Sequence, residues 1–507
     1  MARGDTDIFP LPFEYSAVKA YWDEVRDYLA AQDLDSWAVR PFRKMLSPKH
    51  GLGFRVATQL DPLDTLLICA LVYEAGQELE AVRVQAGENR VFSYRYLPTA
   101  DGQLYDPVNN YEAFRVRSLE LAADPTTSFV VMTDIADFFP RLYSHPMENA
   151  LRAATAAPDH ARVITKLVSA WNMGVSYGVP VGPSPFRLIS EVTIGDVDLA
   201  VLAEGINFCR YSDDYRFFVD TERKAREALA FLAKTLVNNH GLTLQESKTE
   251  IVPADEFIER FGRAERDQER HALQSSFGAL AEALGLSDRY GVVDYDDLDA
   301  EQKTLVDSLN LWAIVEREAR AGRALDVPMI RFVLGRIRQL GLRDPGDLLM
   351  SNLERFAPVF REVVEALVGQ SGLSAEELRT LGGQLLNLFD HEVVGYLEYH
   401  RDWLLTPFTN EAVWDHTDRL IQLHQKHFDQ PTQRAITLAL GRGNVWHWFK
   451  TRKQEVFQLS PWNRRAFLYA ASCLPGDEAK HWYGSLSPQL DVLERSVVRY
   501  ARANPVP

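Results

Sequence analysis

The sequence predicts an α+β protein made of two unlike halves. Three observations carry that prediction. Short apolar runs of strand length, rich in aromatic and β-branched residues, occur before about residue 255. From about residue 300 onward, helical periods follow one another, broken by prolines from Pro328 to Pro488, with almost no strand signal. Between them the segment IERFGRAERDQERHALQ is dense in charge of both signs, as in an exposed helix. The expected division is a mixed domain over 1–255, a charged helical connector over 256–300, and an α-helical domain of stacked helix pairs over 301–507, without a clean fixed period.

The elements of the first half follow in order. Tyr15, Val18, Trp22, Val25 and Leu29 are spaced along one face of a helix over 14–35. DPLDTLLICALVYEAG (61–76) reads as a buried helix with an acidic start and a glycine stop. SFVVMTD (128–134) is an apolar run ending on a carboxylate, the pattern of a buried strand. Helices are expected at 146–156, 160–172 and 187–204, the last leaving the turn GVPVGPSP. The run FCRYSDDYRFFV (208–219) reads as a hairpin of two apolar arms joined at Ser212-Asp213-Asp214. A helix over 222–239 and the strand-like TLQESKTEIV come next.

Composition sets bounds on function. Of 507 residues, 46% are hydrophobic and 25% charged, as in an ordinary globular protein. No apolar run approaches the ~20 residues a membrane span needs, and MARGDTDIFPLPFEYSAV lacks an apolar signal core. Cys69, Cys209 and Cys473 are dispersed, giving neither a disulfide framework nor a zinc pattern. The expected location is the cytoplasm, with no membrane partner. A net charge of −16 excludes a uniformly basic nucleic-acid coat but not a local basic channel. Residues 36–60 carry Arg40, Arg43, Lys44, Lys49 and Arg55 and no acid; a solvated loop face is the plain alternative.

The chemistry gathers around the hairpin. Carboxylates at a hairpin tip suit Mg2+, which takes hard oxygen ligands and keeps positions open for phosphate. Asp134 ends the strand at 128–134, with room before Asp213 for two helices and a turn, so both strands can lie side by side. A strand-end carboxylate beside a hairpin-tip carboxylate builds a two-metal site; alone, Asp134 would read equally as a helix N-cap.

TDIADFFP, GVPVGPSPFRLISE, RYSDDYRFF and LTLQESKT stand in the order of reverse transcriptase palm motifs A to D. The spellings DIxxFFPxxYxH and GVPVGPxxxRLxxE resemble the prokaryotic abortive-infection and defence-associated reverse transcriptases, where Val181 stands in place of the usual Gln. The resemblance covers about 35–255 and, more weakly, SPWNRRAFLYAASCLP and LDVLERSVVRYAR. It implies a reverse transcriptase fingers-palm fold followed by an all-α helical-repeat (HEAT-like) domain. It implies two Mg2+ ions, with Mn2+ as a substitute, held by Asp134, Asp213 and Asp214. Phe139 matches the steric gate that excludes a ribose 2′-hydroxyl, while Phe138 reads as core. Gly178, Pro180 and Gly182 would let backbone approach the incoming base pair, Gly182 counting among the dNTP contacts. Lys248 matches the motif D lysine near the triphosphate. Arg95, then Arg55, then Lys49 match basic fingers residues. Arg187 and Glu191, four apart on a helix, read as a local ion pair, with Arg187 also a support for the dNTP pocket.

The implied activity is DNA synthesis from dNTPs, RNA-directed or template-independent, in anti-phage abortive-infection defence. The implied partners are the DNA product, an RNA template or noncoding RNA, and further copies of the chain. The group also includes members that prime from a protein hydroxyl, for which Tyr396, Tyr399, Tyr469, Tyr483 and Tyr500 are candidates. Each of the five reads more simply as a packing residue. The competing readings are a scaffold or sensor that keeps the fold without needing catalysis, and a primase-like RNA polymerase, which Phe139 disfavours. No second carboxylate cluster suits an RNase H domain. His424 and His427 read as surface or core histidines, and the aromatics near Arg452, Lys453, Arg464 and Arg465 as helix packing.

Overall fold

A computed structural model describes all residues except 1–7, 50–52, 101, 263–264, 284–294, 323, 412–413, 427 and 507. His427 and part of the expected connector therefore lie outside the described residues. The chain divides into two compact units. One comprises Gln32–Phe42 and Thr58–Asp267; the other comprises Thr6–Ala31, Arg43–Ala57 and Gln268–Pro507. Two stretches of the expected first domain thus belong with the helical half, and the expected connector is split at Asp267.

The first unit is built on an antiparallel sheet. Number the strands β1 (Arg43–Pro48), β2 (Phe54–Gln59), β3 (Phe129–Asp134), β4 (Phe208–Tyr211), β5 (Asp214–Val219) and β6 (Glu250–Pro253). The four-stranded sheet has the order β4-β5-β3-β6. β3 is central, with Val130 opposite Phe218 of β5 and Val252 of β6. Alternation sends Val130, Cys209, Phe218 and Val252 to one face, where Phe114 and Phe257 of helices Tyr111–Ala122 and Ala254–Gly262 cover them. Helix Glu222–His240 packs against β3 and β5. With helices on both sides, the strands are apolar almost throughout, which is why they read as continuous runs.

Most expected elements form, and the departures have local causes. The helix expected over 14–35 is two, Glu14–Ala20 and Trp22–Ala30, separated at Tyr21 (φ −123). Helix Pro62–Ala81 runs on past Gly76, because this glycine is a packing device and not a stop: the ring of Tyr96 occupies the space its Cβ would need. The helix expected over 187–204 is broken at Ile194 into Pro185–Thr193 and Gly195–Ala203. Of TLQESKTEIV only the end pairs as β6; Glu246–Lys248 form a 3-10 turn.

In the second unit, helices Leu311–Arg320, Val327–Gln339, Phe360–Val368, Glu398–Asn410, Gln430–Arg442, Pro461–Ala470 and Val492–Ala503 pack in a row, each on the next. This is the stacking of a helical-repeat domain. Helix Glu14–Ala20 packs on the last of them. A buried charge cluster ties these parts together. Glu14 accepts from Arg465 Nε at 3.0 Å and Arg434 Nη2 at 2.7 Å, and Arg43 of β1 stacks over Trp462 at 4.5 Å. Arg465 and Trp462 are buried, so they serve packing, as do Trp448 and Trp482. His424 packs edge-on against Trp448. The cysteines are free, and among the described residues no helix is long and apolar enough to cross a membrane.

Candidate active site

Sheet register places the carboxylates. Asp134, the last residue of β3, is the Cα partner of Asp214, the first residue of β5. β4 and β5 pair Tyr211 with Asp214, which leaves Ser212 and Asp213 as a two-residue turn. Ser212 has φ 56, the positive value that lets a tight hairpin follow strand twist but that glycine adopts more readily than serine. The amide of Ile135 donates to the Asp213 carbonyl at 3.0 Å, tying the turn to the end of β3. One ligand oxygen from each of Asp134, Asp213 and Asp214 then lies within 4.8 Å of the other two. Among the described residues, no other three His, Cys, Asp or Glu side chains gather this way.

The charge of this cluster is out of balance. Burial, and then the charge of Asp134, raises the Asp213 carboxyl above its ordinary range. Burial, then Asp213 and Asp134, pushes Asp214 up to about 7. The nearby cation is Lys248, whose Nζ donates to Asp134 Oδ2 at 2.7 Å. Burial alone would lower the lysine pKa, but the hydrogen bond and charge of Asp134, with Asp214 and Asp213 behind it, raise it instead. Arg216 adds a second, weaker positive charge at Asp214, and three crowded hard-oxygen ligands with fewer counter-charges form a donor set suited to divalent cations such as Mg2+.

The expected substrate residues fall into distinct groups. Beyond β3 the chain turns at Asp137 (φ 47) into the short helix Phe138–Arg141. Phe138 is buried, as expected of core, and Phe139 is half-buried. The Phe139 carbonyl accepts from Val179 N–H at 2.8 Å, and Gly178 N–H donates to the Leu142 carbonyl at 2.7 Å. The glycine-rich turn is thus strapped to the segment carrying Phe139. Its other end is held by Thr58 N–H, which donates to Val181 O at 2.7 Å. Gly182 sits against that contact at φ 142, where a Cβ would lie 2.5 Å from the Thr58 carbonyl oxygen.

Arg95 does not match the expected triphosphate role. It is 3% exposed, and its guanidinium donates to Glu80 Oε1 (2.7 Å), Val84 O (2.8 Å) and Val91 O (2.9 Å). The resemblance placed it among the basic fingers residues; burial and its bonds to Glu80 and two carbonyls make it a structural tie. Arg55 on β2 and Lys49 beside β1 are exposed and belong to the other unit. The acid-free run also contains Arg40, whose Nε lies 3.0 Å from Asp61 Oδ1. Arg187 is 5.1 Å from the Tyr94 ring centre.

Glu191 pairs elsewhere than with Arg187. It is 1% exposed and meets Arg83 (2.7 Å) and Arg210 (2.8 Å). Arg210, fully buried on β4, also binds Asp198, which accepts from Tyr215 Oη at 2.8 Å. Sequence reasoning missed this network. A lone arginine inside the apolar strand FCRY was its visible trace, but partners 12 to 108 residues away have no sequence signature.

Residues 94–268 match the family model described as reverse transcriptase (RNA-dependent DNA polymerase). No curated protein matches the sequence. Among solved structures, apo telomerase from Candida tropicalis aligns at 10% identity and TM-score 0.34, covering 77% of this chain and 73% of that one. Telomerase from Candida albicans with a fragment of telomeric RNA aligns at 11% and 0.31, covering 83% and 68%. Likeness at these TM-scores supports no functional statement. The stretch 94–268, which contains the carboxylate cluster, is a reverse transcriptase domain of the polymerase class.

Proposed function

We propose that the protein is a DNA polymerase that adds deoxynucleotides to a 3′-hydroxyl at the Asp134, Asp213 and Asp214 cluster. The observation that carries this reading is the convergence of those three carboxylates on one point inside the stretch matching the reverse transcriptase model. Magnesium held there by the three aspartates would neutralise the charge that develops on the attacking 3′-oxygen and on the departing pyrophosphate.

The chain's own residues supply the rest. The ring of Phe139, fixed through its carbonyl on Val179, is the wall against which a ribose 2′-hydroxyl would clash. Gly182 keeps its proposed place beside the incoming base pair on the resemblance alone, since the space its Cβ would take is filled by the Thr58 carbonyl. Lys248 keeps its proton at neutral pH and offers it to the leaving pyrophosphate. Arg55 keeps its proposed triphosphate role on the resemblance, and its exposure favours it over Arg95.

The spelling of the palm motifs supports a role in anti-phage defence within a self-associating protein in the cytoplasm. Of the five tyrosines considered for priming, Tyr396 is the exposed one, at 57%, while Tyr399 and Tyr483 are 2% exposed. Two tests follow. Nucleic acid co-purifying with the protein, sequenced after nuclease or protease treatment, separates copying of a discrete RNA from protein-primed, untemplated synthesis. Plaque counts across a phage panel test defence. Counts unchanged by the gene would remove that part of the reading, and protection that survives Asp134→Ala would favour the scaffold alternative.

A further inference from the structure

Behind the carboxylate turn lies a second charged cluster, and its geometry reaches the turn at one atom. Arg210 is 0% exposed. A guanidinium has five N–H donors in a fixed plane, and all five are used here. Nε donates to Asp198 Oδ1 at 2.8 Å. Nη2 donates to Asp198 Oδ2 at 2.6 Å and to Glu191 Oε2 at 2.8 Å. Nη1 donates to Glu191 Oε1 at 3.2 Å and to the carbonyl of Ser212 at 2.7 Å. Four of the bonds go to two buried carboxylates on helices Pro185–Thr193 and Gly195–Ala203. The fifth goes to the residue that precedes Asp213.

The carboxylates are held from their other sides too. Glu191 accepts from Arg83 Nη2 and from Ser93 Oγ, both at 2.7 Å, and Asp198 accepts from Tyr215 Oη at 2.8 Å. Arg83 in turn donates to the Ser93 and Tyr94 carbonyls. Arg83 also meets Glu80 at 2.8 Å, which Arg95 shares at 2.7 Å, so three arginines and three acids form a charge-balanced network anchored on helices and an adjoining loop. Ser212 has the strained φ of 56, a conformation that persists only where its surroundings hold it.

Resting on the metal-site reading above, we infer that Arg210 is a positioning residue for the metal ligands. It holds the Ser212 carbonyl, and through it sets where Asp213 stands relative to Asp134. The guanidinium touches neither metal nor substrate; it acts through the turn. A lysine at 210 keeps the charge but lacks the planar fork, so it cannot hold both carboxylates and the carbonyl together.

The test is a Mn2+ titration of the full-length protein, with free Mn2+ read by electron paramagnetic resonance and folding checked by thermal melting. Four proteins are compared: wild type, Asp213→Asn, Arg210→Lys and Tyr215→Phe. Positioning predicts that Arg210→Lys binds Mn2+ ~10-fold or more weakly, the scale seen when a support of a metal ligand is lost. Tyr215→Phe removes one hydrogen bond to Asp198 but leaves the Arg210 bond to the Ser212 carbonyl in place, and should bind as wild type does. If Arg210→Lys does not fold, Glu191→Gln keeps the shape while weakening the grip on Arg210, and the same loss is expected. Loss in Asp213→Asn but wild-type affinity in the folded Arg210 or Glu191 variant overturns the inference alone. Equal loss in Tyr215→Phe also overturns it, because general loosening would then suffice. Retention of Mn2+ by Asp213→Asn sinks the metal reading and the inference with it.

Discussion

Two clusters of charged side chains sit on opposite sides of one hairpin turn, and they are built on opposite terms. In the cluster of Arg83, Arg95 and Arg210 with Glu80, Glu191 and Asp198 the charges balance, and every Arg210 donor has an acceptor. At Asp134, Asp213 and Asp214, three acids crowd within 4.8 Å against Lys248 and the more distant influence of Arg216, and Asp213 and Asp214 are pushed toward their neutral forms. A balanced buried cluster is complete without a ligand. An unbalanced one, held open by a balanced one behind it, is ready for cations.

The comparison breaks most severely at the balanced cluster. Glu191→Ala leaves Arg83 and Arg210 buried without their shared carboxylate, and should cost about 3–5 kcal/mol of stability, read by urea unfolding. At the unbalanced cluster, Lys248→Met should lower the rate of nucleotide addition by ~10²-fold, the usual contribution of a proton donor. It should change stability much less than Glu191→Ala does, since the lysine side chain is mostly exposed although its partner Asp134 is buried. A smaller effect is expected at the gate. Phe139→Ala should reduce discrimination against ribonucleotides by ~10-fold or more, measured as the ratio of kcat/KM for paired dNTP and rNTP.

The subtlest expectation is in the pH dependence of the metal-free protein. Asp214 has a folded pKa of about 7, raised above the ordinary carboxylate value. Between about pH 4 and 7 the folded state therefore binds a proton that the unfolded state has released. This contribution to stability is complete below about pH 4 and is lost as pH rises through about 7. Melting curves should show that fall, Asp214→Asn should lessen it while the raised carboxyls of Asp213, Asp64 and Asp402 keep the remainder, and Mg2+ should raise Tm more at pH 8 than at pH 5.

Much of this was legible in the sequence, and unevenly so. β3 and the β4–β5 hairpin are buried on both faces, so their apolar runs stood out, and the carboxylates at their ends were conspicuous for the same reason. Phe138, read as core, is buried. What escaped was long-range pairing. Arg95 was expected among the basic fingers residues and Glu191 in a local pair with Arg187, because nothing local reveals Glu80, Arg83 or Arg210 as partners. Gly76 looked like a helix stop because the ring it accommodates, Tyr96, lies on a different segment. Charge partners and close packing are three-dimensional facts. Periodicity and turn chemistry are local ones.

The central claim is that the Asp134, Asp213 and Asp214 cluster performs nucleotidyl transfer. Its most direct test measures incorporation of labelled dNTPs by the purified full-length protein with Mg2+, on an RNA template with a primer and with neither added, beside Asp213→Ala checked for folding by its melting curve. The account predicts polymer formation by the wild type in at least one of these conditions and a loss on the order of 10³-fold in the folded variant. Incorporation undiminished in folded Asp213→Ala, or absent from the wild type in both conditions, would contradict it.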